Sequence, residues 1–129
     1  MSDQPKTDTE PTPEVKAPPA LELPGGGTLP LGALNGADLS EWLEWARLRW
    51  AAQVREVVKA AHAAGGLTDA EASAAITAAF LRLPLVNRES PEADGLARSE
   101  EGGRRLLWLA CRRAGYAGTF AEFVKLLTV

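Results

Sequence analysis

The stretch Ser40-Glu41-Trp42-Leu43-Glu44-Trp45-Ala46-Arg47-Leu48-Arg49-Trp50, SEWLEWARLRW, decides the reading of this chain, because it holds three of its four tryptophans. A 3.6-residue turn advances about 100° per residue, and at that pitch Leu39, Trp42, Leu43, Ala46, Trp50, Val54, Val57 and Ala61 gather on one side. The segment therefore reads as an amphipathic helix whose apolar face suffices for a core. Trp45 and Leu48 fall outside that stripe, among Glu41, Glu44, Arg55, Glu56 and Lys59. They are surplus to the core face, and two readings stay open: the hairpin or the last helix covers them, or they form a patch that docks a partner.

Outward from this helix the punctuation is regular. Asn35 and Asp38 form a capping pair at its start, with Leu34 and Leu39 at the staple positions, and the Gly65-Gly66 pair stops it. Thr68 and Glu71 write a second capping box. An alanine-rich helix follows it to Pro84, with Ile76, Phe80 and Leu83 on one face. The segment LVNRESPEADGLAR is dense in turn residues and reads as a loop, with a short helical turn after Ser90-Pro91. Ser99 opens a third helix, apolar on every side from Leu106 to Cys111, and Gly115 ends it. Thr119 and Glu122 box the last helix, striped by Phe120, Phe123, Val124 and Leu127.

Upstream, LELPGGGTLPLGAL alternates leucines about Gly25, Gly26 and Gly27, the pattern of a short β-hairpin that Pro24 and Pro30 confine to an edge-like ribbon. No Gly-Lys-Ser/Thr follows the glycines, which argues against a phosphate-binding loop. Residues 1 to 20 are rich in Pro, Thr, Asp, Glu and Lys, so burial does not offset the entropy of ordering them. The expected fold is mainly α: a small four-helix domain over residues 21–129, preceded by a short β-hairpin and a disordered N-terminal tail.

Composition narrows the function. A chain of 129 residues, 46% hydrophobic and 24% charged, with a net charge of −3, is a one-domain globular protein without a bulk attraction to nucleic acid or anionic lipid. The N-terminus lacks the basic and apolar regions of a signal peptide, and no apolar run is long enough to span a bilayer, so a cytoplasmic location is expected. Cys111 and His62 are single, which leaves no disulfide and no Cys/His zinc site; no cofactor is expected. His62 reads as a surface residue, and Cys111 as a buried thiol without a histidine base. The pairs Glu41/Glu44, Asp69/Glu71 and Glu100/Glu101 already have capping or pairing roles, and an enzyme is not expected.

Arg104, Arg105, Arg112 and Arg113 resemble a phosphate-binding cluster. A local account competes with it: Glu100 and Glu101 precede Arg104 and Arg105 by four residues, and Arg112 and Arg113 sit at the negative end of the helix dipole. Trp108, four residues after Arg104, is placed for a cation–π contact and is a third candidate anchor.

Taken together, the hairpin, NGADLSEWLEWARLRW, LTDAEASAAI and SEEGGRRLLWLACRRAGYAGTFAEFVKLL resemble small tail-assembly or tail-associated proteins of tailed phages and prophages, in layout, over residues 20 to 129. Glu101-Gly102 and Leu106-Leu107-Trp108-Leu109 match the pattern S-x-E-G-x-x-x-L-L-W-L before a capped last helix; Gly103 and Arg104-Arg105 depart from it. The resemblance implies a chaperone-like or adaptor protein that binds another virion component, such as a tape-measure protein, with docking expected through Trp45, Leu48 and Trp108. Two other classes stay open: a nucleic-acid-binding adaptor using the four arginines, with affinity falling steeply with salt, and a self-assembling structural protein using the apolar patch between copies.

Overall fold

The computed structural model describes residues 19–128. The expected tail lies outside the described residues through residue 18, and its last two positions belong instead to the hairpin. Pro19 accepts a backbone hydrogen bond from Leu31 at 3.0 Å, and Ala20 pairs with Pro30. Strand β1, Ala20–Glu22, runs antiparallel to β2, Thr28–Pro30, with Leu21 opposite Leu29. Gly26 and Gly27 take φ of +97° and +88° in the turn, the left-handed region that a side chain disfavours.

Five α-helices follow among the described residues: α1, Gly36–Ala63; α2, Asp69–Arg82; α3, Pro91–Arg98; α4, Glu100–Arg113; and α5, Phe120–Leu127. The boxes at Asn35/Asp38, Thr68/Glu71 and Thr119/Glu122 are all closed in both directions, as their spacing predicts. The short helical turn expected after Ser90-Pro91 is an eight-residue helix, α3, which raises the expected count of four helices to five. Its start is written by Pro91 at the first helical position and by Glu92 and Asp94 in the first turn. Gly95 and the brevity of the segment hide that periodicity, and burial of Ala93 and Leu96 in the core stabilises the helix.

The core face of α1 is not one stripe. Trp42 and Ala46 are buried together with Val86, Ala93, Leu96 and Leu109, so the N-terminal half of α1 faces α3 and α4. Further along, the buried residue is Val58, about 120° around the helix from Ala46, and there the neighbour is α2. Val57, expected in the core stripe, is 68% exposed. A 28-residue helix outruns the body it packs on, and its second half serves a different partner on a different side.

Helices α3 and α4 meet at Ser99, whose hydroxyl donates to the Leu96 carbonyl at 2.6 Å and accepts from the Gly102 N–H at 3.0 Å. The Trp42 indole N–H donates to the Gly102 carbonyl at 3.0 Å, a buried bond joining α1 to α4. A Cβ on Gly102 would lie 1.8 Å from the Leu96 carbonyl oxygen, so this position admits no side chain without backbone movement. On Gly103 the nearest atom, the Ala97 carbonyl oxygen, would be 3.4 Å away, an ordinary contact.

Urea unfolding should separate these neighbouring glycines. Gly102→Ala is expected to lose about 3 kcal/mol, at the upper end of overpacking costs. Gly103→Ala is expected to gain about 0.5 kcal/mol, because alanine is the better helix former. Equal effects would show that the close approach to Leu96 is not what Gly102 provides.

Candidate docking surface

Helices α1 and α4 run antiparallel, and their charges alternate as matched rungs along the seam. Arg113 grips Asp38 with two hydrogen bonds of 2.9 Å, and Arg112 grips Glu41 at 2.8 and 3.1 Å. Arg49 reaches Glu101 at 2.8 Å, and Arg104 pairs with Glu100 within α4 at 2.9 Å. The expected Glu101–Arg105 pair is thus replaced by Glu101–Arg49, because the tertiary partner lies closer to the carboxylate than the local one. Three of the four candidate arginines are matched by carboxylates of the same molecule.

Arg105 is held differently. Its guanidinium carbon lies 4.2 Å from the ring centre of Phe120, 4.9 Å from Trp45 and 5.9 Å from Trp108. Its Nε is buried without a hydrogen-bond partner, and burial pushes the Arg105 pKa below the usual arginine value. The three rings stand in for water by cation–π attraction, with the aliphatic stem packed among them. Trp45 is therefore not a free anchor. It is half-buried, tilted against Trp42 at 6.0 Å between ring centres, and part of the packing around the core.

Trp108 is also engaged within the fold. Its indole N–H donates to the Gly118 carbonyl at 3.1 Å, and its ring meets the edge of Phe120 at 5.7 Å, which fixes α5 against α4. The cations over its ring are Arg105 and Arg112, the latter at 4.9 Å; Arg104, expected there from spacing, turns to Glu100 instead.

Of the three sequence candidates for docking, Leu48 alone stands clear, at 64% exposure. It lines an apolar groove of about 270 Å³ between α1 and α2 with Ala51, Arg55, Ile76, Ala79, Phe80 and Leu83. Phe80 is 74% exposed on its far wall. A second hollow of about 380 Å³ continues the seam past the shared Arg55 and Ile76 towards His62 and Ala72. His62 is exposed and pairs with Asp69.

Phe80 was legible only as core, on a face with Ile76 and Leu83. Its exposure follows from alanine: Ala72, Ala75 and Ala79 face α1 with Ile76, and α2 buries no residue fully. Leu81 and Leu85, also exposed, carry no sequence signal that separates them from core leucines.

Comparison with family models, curated proteins and solved structures finds no match. The chemistry of the surface must therefore speak from its own residues. Among the described residues, no three metal-ligating side chains gather, and no helix is long and apolar enough to cross a membrane. Cys111 is fully buried, and that burial pushes its thiol pKa up, which disfavours the thiolate.

Two predictions follow from the charged seam. Arg105→Ala should cost about 2 kcal/mol in urea unfolding through lost packing on three rings, while Arg104→Ala stays within about 0.5 kcal/mol. Equal values would dissolve the distinction between them.

The second concerns acid. The Arg113 hydrogen bonds hold the Asp38 carboxyl below its usual pKa, Arg112 does the same for Glu41, and Arg82 for Glu92. Depressed folded-state values stabilise the fold above the ordinary carboxylate range, about pH 4, and that contribution is lost as pH falls through the lowered values. A melting series from about pH 7 to pH 3 should fall most steeply below pH 4, and Asp38→Asn should flatten that fall. An unchanged slope in Asp38→Asn would remove Asp38 from the account.

Proposed function

We propose that this chain is a non-catalytic protein-docking module that acts in assembly, binding a partner through the apolar groove between α1 and α2. The observation that carries the reading is the pair Leu48 and Phe80, 64% and 74% exposed on the two walls of one groove. Large apolar side chains converging on a hollow are an unusual feature for an isolated chain, and burying each contributes about 1.5–3 kcal/mol to a complex. An amphipathic helix laid into such a seam is a recurrent recognition mode.

The layout resemblance to phage tail-assembly proteins supplies the partner class: another virion component, such as a tape-measure protein, bound transiently while a tail is built. Trp45 and Trp108 support the surface from behind by fixing α4 and α5, and Leu48 and Phe80 make the contact. Against the nucleic-acid reading stand the carboxylates already paired with Arg104, Arg112 and Arg113 and the three rings packed around Arg105. A phosphate would have to break those contacts to compete.

The test is co-purification and titration with a purified tape-measure protein as the probe, using wild type and Leu48→Ser/Phe80→Ser. Both positions are exposed, so the variant should keep its circular dichroism while its affinity falls at least tenfold, as expected for removing two interface anchors. Unchanged affinity in a folded variant would overturn the reading.

A further inference from the structure

Along α1, Glu44, Leu48, Ala52, Arg55 and Lys59 follow one another at helical spacings and form a single ridge. Glu44, Leu48, Arg55 and Lys59 are exposed, and Ala52 is half-buried. The ridge carries a carboxylate at its N-terminal end, an apolar centre, and cations at its C-terminal end. Among the described residues, Glu44, Arg55 and Lys59 make no ion pair, although the charges along the α4 seam are matched. Glu41, taken by Arg112, lies one turn before the ridge, and Glu56 lies on its flank.

This order of charges is self-complementary in one orientation only. Two copies laid parallel would set like charges side by side. Two laid antiparallel about a two-fold axis level with Arg49 and Trp50 bring Glu44 of each opposite Arg55 of the other. Leu48 then meets Ala51 and Ala52, whose small side chains leave room for it, and Phe80 closes over the edge.

We propose that a second copy of this chain covers the ridge, in an isologous antiparallel dimer centred on Leu48. The proposal rests on the reading of Leu48 and Phe80 as a docking surface and adds that a second copy competes with the partner for it. It extends that reading by a charge pattern that the groove alone does not contain. An isologous contact requires a patch complementary to itself, and a ridge negative at one end and positive at the other meets that condition.

From Glu44 to Lys59 the ridge is about 23 Å long at 1.5 Å per residue. A patch of that length, with the Phe80 flank, belongs with the small interfaces, and the dimer is expected to be a weak one.

Sedimentation equilibrium of the full chain, from about 5 to 500 μM at low salt, tests this by mass action. The wild type should pass from one chain to two. Glu44→Arg and Arg55→Glu should each weaken association about tenfold, since each opposes like charges twice across the two-fold axis. The exchange variant carrying both changes should recover to within about threefold of wild type, because the pairs are restored with reversed sign.

A wild type that stays monomeric over the whole range overturns the dimer, and so does an exchange variant that fails to recover. If Leu48→Ser/Phe80→Ser still weakens capture of a tail component at least tenfold in either case, the docking surface and its partner survive and only the second copy is removed. A dimer insensitive to Leu48→Ser and to the charge exchange uses another surface and overturns this proposal as well.

Discussion

The buried hydrogen bond from the Trp42 indole to the Gly102 carbonyl sets the geometry on which the rest of the protein depends. A tryptophan buried in a core must place its N–H, and the backbone oxygen of a glycine inside α4 is an acceptor that no neighbouring side chain obstructs. The missing Cβ also allows α4 to turn away from α3 within the space of Ser99. One residue thus satisfies the core donor and forms the corner. With α1 and α4 fixed antiparallel by this bond, the arginine pairs at Asp38, Glu41 and Glu101 fall into register on their own.

The same register explains the fate of three of the four tryptophans. Trp42 goes to the core, Trp45 to the Arg105 cluster, and Trp108 to the base of α5. Each has a cation, a carbonyl or another ring to face within the fold. Leucine and phenylalanine have no such polar handle, and the surplus apolar area of the molecule accumulates in Leu48, Phe80, Leu81 and Leu85. The apolar groove between α1 and α2 is lined in part by residues that the polar framework has no use for.

Much of this was legible in the sequence, and the reasons are local. Capping boxes at Asn35, Thr68 and Thr119 and the glycine turn of the hairpin are written in four or five consecutive residues, and they appear where the spacing places them. Leu48 as an off-stripe residue was legible for the same reason. What the sequence withheld depends on distant partners. Helix periodicity alone does not reveal that α1 changes its core side between Ala46 and Val58, and for that reason Val57 read as buried. Nor does it reveal that Glu101 prefers Arg49 to Arg105, a choice made across 52 residues of chain. Helix α3 was hidden because eight residues with a central glycine look like turn until a core covers Ala93 and Leu96.

Helix α1 therefore belongs to two lobes at once: one with α3 and α4 around Trp42, and one with α2, which buries no residue fully. Releasing α2 would wet Val58 and part the Arg82–Glu92 pair but leave the Trp42 core covered, so it should cost less than global unfolding. In amide exchange terms, the α2 lobe is expected to open before the lobe built on Trp42, to which a continuous helix joins it. Whatever settles on α2 would order that lobe and draw it into the cooperative unit. Occupancy of the groove would then be felt along α1 as a change in stiffness, without any shift of position.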